Sequence, residues 1–311
     1  MHYLITGGAG FLGSHLAERL CSEGHNVTAV DNLSSGSRSN IRDLIARKNF
    51  RFIEADVREQ FFIDSKLDGI FNLACPASPI FYQDIPIETT MTCVLGAYNL
   101  LRLADAHSCK ILQTSTSEVY GDPEVTPQKE DYRGKVNCFG PRACYDEGKR
   151  AAEALFYDFH AKNKTDIRIV RIFNTYGPNM HVNDGRVVSN FIVQALQNKD
   201  ITIYGDGSQT RSFCYVDDLI DAMLTVWHSD IQSPVNIGNP GEFTMLELAE
   251  RVIAITGSKS RISFKPLPVD DPKQRCPDIS LAKSIGWEPK IPLDTGLLST
   301  VEYFRNKLIE V

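Results

Sequence analysis

Short apolar or β-branched runs alternate with longer helical patterns through the first half of the chain. Runs of this kind are typical of buried strands, and apolar positions at helical spacing are typical of helices packed on a sheet. The predicted strands are Tyr3–Thr6, Val27–Val30, Phe50–Glu54, Gly69–Leu73, Ile111–Thr114 and Ile167–Ile172. The predicted helices are Gly10–Glu23, Pro86–His107 and Ala143–Asn163. This alternation predicts an α/β fold with a doubly wound parallel sheet covered by helices on both faces.

Beyond Ile172 the pattern loosens, and two segments carry most of the prolines of the C-terminal half. Residues 1–173, together with 213–240, are predicted to form the main domain, because Phe213–Ile237 again has the pattern of sheet and helix. Residues 174–212 and 241–311 are predicted to form a smaller C-terminal cap domain.

Composition narrows the class of protein. The 311 residues carry a net charge of −6, which argues against nucleic-acid binding because that requires a basic face. No stretch has the length and apolarity of a membrane span, and no signal peptide is visible, so we expect no membrane association. The eight cysteines contain no C-x-x-C pair and are expected to be reduced thiols in a cytoplasmic protein. No cluster has metal-ligand spacing, so no metal is expected.

Three glycines follow the first predicted strand and open a helix. Gly7 permits a tight turn, Gly10 lets the backbone approach a pyrophosphate, and Gly13 lets the helix pack closely on the sheet. Glycines also mark ordinary turns, but here a strand precedes them and Asp31 ends the next predicted strand. The combination predicts a dinucleotide-binding site.

Asp31 favours NAD over NADP, because a carboxylate accepts hydrogen bonds from ribose hydroxyls and repels a 2′-phosphate. Arg38 is close in sequence and leaves NADP as the alternative. Asp56 and Val57 are placed to meet the adenine, although they could also be an ordinary strand end. The predicted cofactor set is completed by Phe11, Leu12, Asn32, Ser35, Gly36, Leu73, Tyr145, Lys149 and Thr175.

Tyr145 and Lys149 lie four positions apart, on one face of a predicted helix. A free phenol has a pKa of about 10, and a nearby ammonium together with a nicotinamide cation favours the phenolate. The same spacing arises by chance in many helices. Its combination with a dinucleotide turn and a hydroxyl-rich segment at 114–118 predicts a base that removes a proton from an alcohol.

Together these motifs resemble the extended short-chain dehydrogenase/reductase superfamily of nucleotide-sugar enzymes. Within it, the sequence is similar to the UDP-glucuronate decarboxylase (UDP-xylose synthase) family over nearly the whole chain. The segments that carry this resemblance are Thr116–Val125, Gly140–Arg150, Arg171–Pro178, Asn183–Phe191, Tyr204–Arg211 and Asp270–Arg275. Ser117-Glu118 supports this family, because the related 4,6-dehydratases usually carry Asp-Glu there and 4-epimerases usually lack the acid.

The resemblance implies a Rossmann-type NAD domain, a nucleotide-sugar-binding cap and a UDP-sugar substrate. Oxidation of the sugar at C4 gives a 4-keto acid, which loses CO₂ and is reduced again to UDP-xylose with no net redox change. The catalytic residues implied are Tyr145, Lys149, Thr116, Ser117, Glu118 and Arg275. The nucleotide contacts implied are Asn174, Arg186, Tyr204 and Arg211, and Arg275 is also assigned to the sugar.

The resemblance also implies a homodimer, in which two copies pair through the predicted helices Pro86–His107 and Ala143–Asn163. The apolar faces of these helices could equally be buried within one chain. A 4,6-dehydratase, a 4-epimerase and a non-catalytic sugar-nucleotide-binding protein are the alternatives. The sequence departs from the usual family pattern at Met91, Cys93, Cys138 and Phe139, which puts contacts to the sugar in doubt.

Overall fold

The computed structural model describes residues 1–266 and 275–309. Its strands are β1 His2–Thr6, β2 Asn26–Asp31, β3 Phe50–Glu54, β4 Gly69–Asn72, β5 Lys110–Thr116, β6 Ile167–Ile172, β7 Thr175–Tyr176, β8 Ile201–Tyr204, β9 Thr210–Ser212, β10 Cys214–Tyr215, β11 Pro234–Ile237, β12 Glu242–Thr244 and β13 Ile262–Lys265. Its α-helices are α1 Phe11–Ser22, α2 Arg42–Ile45, α3 Pro79–Asp84, α4 Pro86–Met91, α5 Ala97–His107, α6 Ala143–Asn163, α7 Val187–Leu196, α8 Val216–His228, α9 Met245–Thr256, α10 Ser280–Ser284 and α11 Leu293–Ile309. Short 3₁₀ turns cover Arg38–Ile41 and Ser117–Tyr120.

The main sheet forms where the sequence has short apolar runs. The strands β3 and β6 have the predicted bounds, and the other four predicted strands differ by one or two residues at one or both ends. Such runs become strands because both faces of the sheet are covered, so consecutive side chains are buried. In β5, for example, the positions from Ile111 to Thr116 are all buried.

The predicted single helix over Pro86–His107 is wrong in detail. A π-helical turn at Thr92–Gly96 separates α4 from α5. A Cβ placed on Gly96 would lie 2.8 Å from Cγ2 of Val57, so the helix approaches the segment after β3 very closely here. Inserted turns of this kind change the direction of the side chains that follow, and they often occur near functional sites.

Among the described residues, seven parallel strands form one sheet in the order β11-β6-β5-β4-β1-β2-β3. The strand order reverses between β1 and β4, whose carboxyl ends lie side by side. Open α/β sheets bind their ligands at this point, because the connections leave the two strands in opposite directions and open a crevice. The strand β11 pairs with β6, as expected for the segment Phe213–Ile237.

Shorter strand pairs, β8 with β13 and β9 with β12, lie among α7, α9 and α11 to form the smaller C-terminal part. Its buried side chains Phe191, Leu248 and Phe304 belong to the same apolar cluster as Ile5 and Val170 of the sheet. The two parts therefore share one core, and the exact domain boundaries stay a prediction. Over the described ranges, none of the helices combines the length and apolarity needed to cross a bilayer.

Candidate active site

A cavity of 1260 Å³ lies at the carboxyl ends of β1, β4 and β5 and extends beneath the cap. It therefore occupies the crevice at the switch point of the sheet. The predicted site residues that line it are Gly7, Gly10, Phe11, Leu12, Gly13, Asp31, Asn32, Ser35, Asp56, Val57, Leu73, Thr116, Ser117, Glu118, Tyr145, Lys149, Asn174, Thr175, Arg186, Tyr204, Arg211 and Arg275.

Gly36 is the predicted site residue that does not line this cavity, although it too is described. A Cβ at Gly36 would lie 2.9 Å from Oδ2 of Asp31 and 3.0 Å from the carbonyl carbon of Ala9. The missing side chain lets the loop close behind the carboxylate. Gly36 therefore contributes to the site indirectly, by letting its loop pack against the Asp31 carboxylate.

The glycine-rich turn has the geometry that a pyrophosphate requires. Gly7 has a φ of +68°, and a Cβ there would lie 2.8 Å from the carbonyl carbon of Leu73. A Cβ on Gly13 would overlap the carbonyl oxygen of Gly7, so α1 can begin this close to the turn only with glycine. The N-terminus of α1, at Phe11 and Leu12, faces the cavity and supplies free amides and a positive dipole end. The residues present fit a dinucleotide.

Asp31 is held in place by the backbone. Its carboxylate accepts hydrogen bonds from the amides of Ala9, at 3.0 Å, and Leu33, at 2.8 Å. Burial raises the pKa of this carboxyl, and the backbone hydrogen bonds oppose that rise. Arg38 is the residue that made NADP an alternative cofactor. Its guanidinium donates a hydrogen bond to the carboxylate of Glu54 at 2.6 Å. The geometry therefore favours a ribose with free hydroxyls over one that carries a 2′-phosphate.

We expect NAD⁺ to bind roughly 100-fold more tightly than NADP⁺, which corresponds to about 2.7 kcal/mol. A 2′-phosphate would bring a second negative charge against the buried Asp31 carboxylate. Calorimetric titration of the purified protein with each cofactor measures the difference. Asp31→Ser should reduce the difference in affinity between the two cofactors. Asp43→Ser, at an exposed acid of α2, should leave that difference unchanged. Equal affinities for the two cofactors in the unsubstituted protein would contradict this prediction.

The carboxylate of Asp56 is held in one position in the part of the cavity where adenine is predicted to bind. Arg58 pairs with it at 2.8 Å and Asn32 donates to it at 2.9 Å. The hydrogen bond from Arg58 is the largest cause that lowers the pKa of Asp56 to about 2. The carboxylate is therefore ionised at neutral pH, and its contact with adenine stays a prediction.

Tyr145, Lys149 and Thr116 meet where α6 crosses the end of β5. All three are buried, with exposed fractions of 6%, 4% and 6%. A hydrogen bond joins the side chains of Thr116 and Tyr145. Lys149 Nζ donates to the carbonyl of Thr114 at 2.8 Å and lies 5.8 Å from the centre of the Tyr145 ring. The predicted base, cation and hydroxyl thus form one group.

The pKa of Tyr145 is raised, whereas the sequence predicted that nearby positive charge would favour the phenolate. Burial raises the pKa of this phenol well above its ordinary value, the nearby Cys75 adds to the rise, and the hydrogen bond with Thr116 opposes it. Lys149 directs its ammonium to a carbonyl oxygen, which limits its effect on the phenol. A lowered pKa is therefore not produced by these side chains alone.

Glu118 lies between two arginines, one from each part of the protein. Its carboxylate pairs with Arg142, at the start of α6, and with Arg275, which follows β13 in the chain. The exposed fractions of the three side chains are 13%, 14% and 7%. Burial lowers the pKa of Arg275 to about 10, so its guanidinium is charged at neutral pH. Asp146 is also buried and lies 3.9 Å from Nε of Arg142, so two arginines and two carboxylates meet here, beside buried Ser117.

Sequence reasoning missed Tyr82, in the short helix α3. Its ring stacks on that of Tyr145, with centres 5.0 Å apart and planes 3° from parallel, and Arg142 lies over it at 5.9 Å. Its hydroxyl is buried and has no hydrogen-bond partner among the described residues. Burial raises the pKa of Tyr82 to about 12. No spacing in the sequence links Tyr82 to Tyr145, which lies far along the chain.

The predicted nucleotide contacts line the part of the cavity beneath the cap. Arg186 pairs with Asp184 and lies 5.7 Å from the ring of Phe11, close to the glycine-rich turn. Arg211 donates to the carbonyl of Thr210 at 2.9 Å, and Tyr204 is 45% exposed. Their roles toward a nucleotide stay predictions.

None of the four departures from the family pattern lines the cavity, although all four are described. Phe139 is 94% exposed, Met91 is 39% exposed and Cys138 is exposed, whereas Cys93 is buried. Any effect of these residues on the sugar is therefore indirect. Positions 270–274 of the last resembling segment lie outside the described residues.

Comparison with known proteins agrees with this geometry. The chain matches the NAD dependent epimerase/dehydratase family over residues 3–238. It is 52% identical to UDP-glucuronic acid decarboxylase 1 of Danio rerio over 306 residues, covering 98% of this chain and 73% of that protein. It is 51% identical to UDP-glucuronic acid decarboxylase 6 of Arabidopsis thaliana over 310 residues, covering 99% and 90%.

Solved structures give the same fold. UDP-glucose 4-epimerase of Thermotoga maritima, with UDP-glucose, has a TM-score of 0.91 and 31% identity, covering 99% of this chain and 100% of that one. UDP-glucuronic acid 4-epimerase of Bacillus cereus, with UDP-glucuronic acid and NAD, has a TM-score of 0.89 and 26% identity, covering 99% and 100%. The predicted α/β fold and the NAD cofactor are confirmed. The chain belongs to the NAD dependent epimerase/dehydratase family, and among its relatives there are the UDP-glucuronic acid decarboxylases.

Proposed function

We propose that this enzyme converts UDP-glucuronate to UDP-xylose and CO₂. One observation carries the proposal: the base Tyr145 and the two arginines that pair with Glu118, Arg142 and Arg275, line the same cavity as the dinucleotide cradle. An alcohol and a carboxylate on one sugar ring need these two kinds of group side by side. Identity of about 50% to named UDP-glucuronic acid decarboxylases supports the same assignment.

The NAD that this family uses would be held by the glycine-rich turn and Asp31, and it would supply reversible hydride transfer at C4 of the sugar. Tyr145, as the phenolate, takes the proton of the 4-hydroxyl through its phenolic oxygen, and the hydrogen bond that Thr116 donates to this oxygen lowers the pKa of Tyr145 and favours that form. Lys149 keeps a positive charge at the end of β5, which favours the phenolate when the proton leaves. These three side chains move the proton and hold it for the return step.

Oxidation at C4 places the C6 carboxylate β to a ketone, and such acids lose CO₂ readily because the electrons pass into the carbonyl. The guanidiniums of Arg142 and Arg275 can donate hydrogen bonds to the carboxylate and draw it into the site. Burial of the group excludes water, which strengthens the attraction and fixes its direction. Tyr82 lies over Tyr145 and forms a flat wall against which a sugar ring can be positioned.

A 4-epimerase is the second candidate, because a solved UDP-glucuronic acid 4-epimerase has nearly the same fold at a TM-score of 0.89. The identity of 26% to that enzyme against 52% to a decarboxylase favours decarboxylation. Both reactions begin with oxidation at C4. They differ in whether the carboxylate is retained, so the mass of the product separates them.

Mass spectrometry of purified protein incubated with UDP-glucuronate and NAD⁺ tests the proposal. We expect a product lighter than the substrate by one CO₂, with the mass of a UDP-pentose. A product two hydrogens lighter than that would show release of the 4-keto sugar. A product of unchanged mass but altered chromatographic retention would show epimerisation. Unaltered UDP-glucuronate from folded, NAD-saturated protein would overturn the proposal.

We also propose that the enzyme is a homodimer. Four apolar side chains, Ile87, Met91, Leu95 and Tyr98, lie at spacings of three or four along α4, the π turn and α5. Their exposed fractions are 74%, 39%, 37% and 40%, which is high for one continuous apolar stripe. A second copy of the chain, presenting the same face, would cover the stripe on both partners.

Leu95→Glu is expected to convert the dimer to a monomer, because it would bury a charge against an apolar surface. Size-exclusion chromatography with light scattering measures the change in mass. Leu246→Glu, at a leucine of similar exposure on α9, is the matched control and should leave the mass unchanged. A monomeric mass for the unsubstituted protein would contradict the dimer.

A further inference from the structure

Two cysteines meet beside the catalytic helix and take no part in the proposed reaction. The sulfur atoms of Cys75 and Cys93 lie 3.3 Å apart. Cys75 follows β4 and lines the cavity, whereas Cys93 lies in the π turn and is only 3% exposed. The sulfurs in a disulfide are separated by about 2.05 Å, so an approach of roughly 1 Å would join them. Both residues are reduced thiols in this structure.

The surroundings distinguish the two thiols chemically. Burial opposes ionisation of Cys75, but the hydrogen bond with Cys93 and the charge of Lys149 outweigh it, so the pKa of Cys75 is lowered. The hydrogen bond with Cys75, followed by burial, raises the pKa of Cys93 well above its ordinary value. A cavity-facing thiol with a lowered pKa, 3.3 Å from a buried thiol, is the arrangement of an attacking and a resolving cysteine.

We propose that Cys75 and Cys93 form a reversible disulfide on exposure to peroxide, and that this disulfide lowers turnover. The Cys75 sulfur attacks one peroxide oxygen; an S–O bond forms, the O–O bond breaks, and the departing hydroxide takes the proton given up by the Cys75 thiol and leaves as water. The Cys93 sulfur then attacks the Cys75 sulfur; the S–S bond forms, the S–O bond breaks and a second water leaves. The two thiols lose two electrons and two protons, and one peroxide is reduced to two waters.

The effect on turnover follows from what Cys93 touches. A Cβ on Gly148 would lie 3.0 Å from Cβ and 3.1 Å from Sγ of Cys93, so the cysteine packs directly on the backbone of α6. Gly148 lies between Tyr145 and Lys149 in the sequence. Drawing the sulfurs together moves this contact and the cavity wall at Cys75. A displacement of about 1 Å at a reacting group can lower a rate by roughly 100-fold.

Peptide mapping after treatment with hydrogen peroxide and then alkylation tests the site. We expect the intact mass to fall by two hydrogens and a cross-linked peptide pair to contain Cys75 and Cys93. Cys93→Ser should abolish that pair, whereas Cys138→Ser, at an exposed cysteine, should retain it. Recovery of no cross-link from the folded unsubstituted protein, or of one between Cys75 and Cys144 instead, would overturn the proposal. This readout does not depend on the enzyme's activity.

The effect on turnover rests on the proposed function and is measured separately. We expect fully cross-linked protein to turn over UDP-glucuronate at least about 10-fold more slowly, and dithiothreitol to restore the rate. Cys93→Ser cannot form the disulfide, so the same peroxide treatment should leave its rate of turnover unchanged. Cross-linked protein with an undiminished rate would overturn the regulatory part. A reduced protein with no decarboxylase activity would contradict the proposed function and leave the cross-link result standing.

Discussion

Replacing Tyr145 by phenylalanine is expected to lower kcat by about 1000-fold, which is within the range for loss of a general base. The substitution removes only the phenolic oxygen that accepts the proton of the 4-hydroxyl. The remaining ring can keep its stacking on Tyr82, at 5.0 Å, and its place in α6. Affinity for UDP-glucuronate, measured by calorimetry with the same protein, should therefore change by no more than a few-fold.

Tyr157→Phe is the matched control for this experiment. It makes the same chemical change on the same helix, at a side chain that is 68% exposed and distant from the cavity. Its turnover should equal that of the unsubstituted enzyme. If Tyr145→Phe retained more than about one tenth of the original kcat, Tyr145 would not be the base, and a second proton acceptor in the cavity would be required.

Glu118→Gln is expected to reduce both stability and turnover. Glutamine keeps the size of the side chain but removes the carboxylate that pairs with both arginines; Arg142 keeps Asp146 at 3.9 Å, whereas buried Arg275 loses its ion pair, which we expect to cost about 3 kcal/mol. Arg275, no longer paired with Glu118, would hold the substrate carboxylate more tightly and thus oppose its departure as neutral CO₂. We therefore expect kcat to fall by roughly 100-fold while KM stays the same or decreases.

Thermal unfolding and steady-state kinetics measure these two effects. Glu124→Gln is the control, because Glu124 also pairs with a cation, Lys135, but at the surface, where both side chains are about two-thirds exposed. It should change neither the Tm nor kcat measurably. An unchanged Tm in Glu118→Gln would show that Glu118 does not stabilise the two arginines. An unchanged kcat would show that their pairing does not matter for catalysis.

Features that depend on neighbours in the sequence could be predicted from the sequence. The helix Ala143–Asn163 has the predicted bounds, and Tyr145 and Lys149 share one of its faces because residues four apart always do. Gly7 and Gly13 could likewise be assigned to a tight dinucleotide turn, since the reason for each lies within the same strand, turn and helix. The π turn could not be predicted, because it depends on the approach of Gly96 to Val57.

By itself, the sequence determined which segments become strands and helices, where the dinucleotide turn lies and which residues can act as base and cation. Hydrophobic spacing reports that a face is buried, but not what it is buried against. Only the tertiary structure decided that Tyr82 stacks on Tyr145, that Glu118 pairs with Arg275, 157 positions away, and that Cys75 meets Cys93. These contacts arise where separate elements pack together, and no local pattern in the chain encodes the partner.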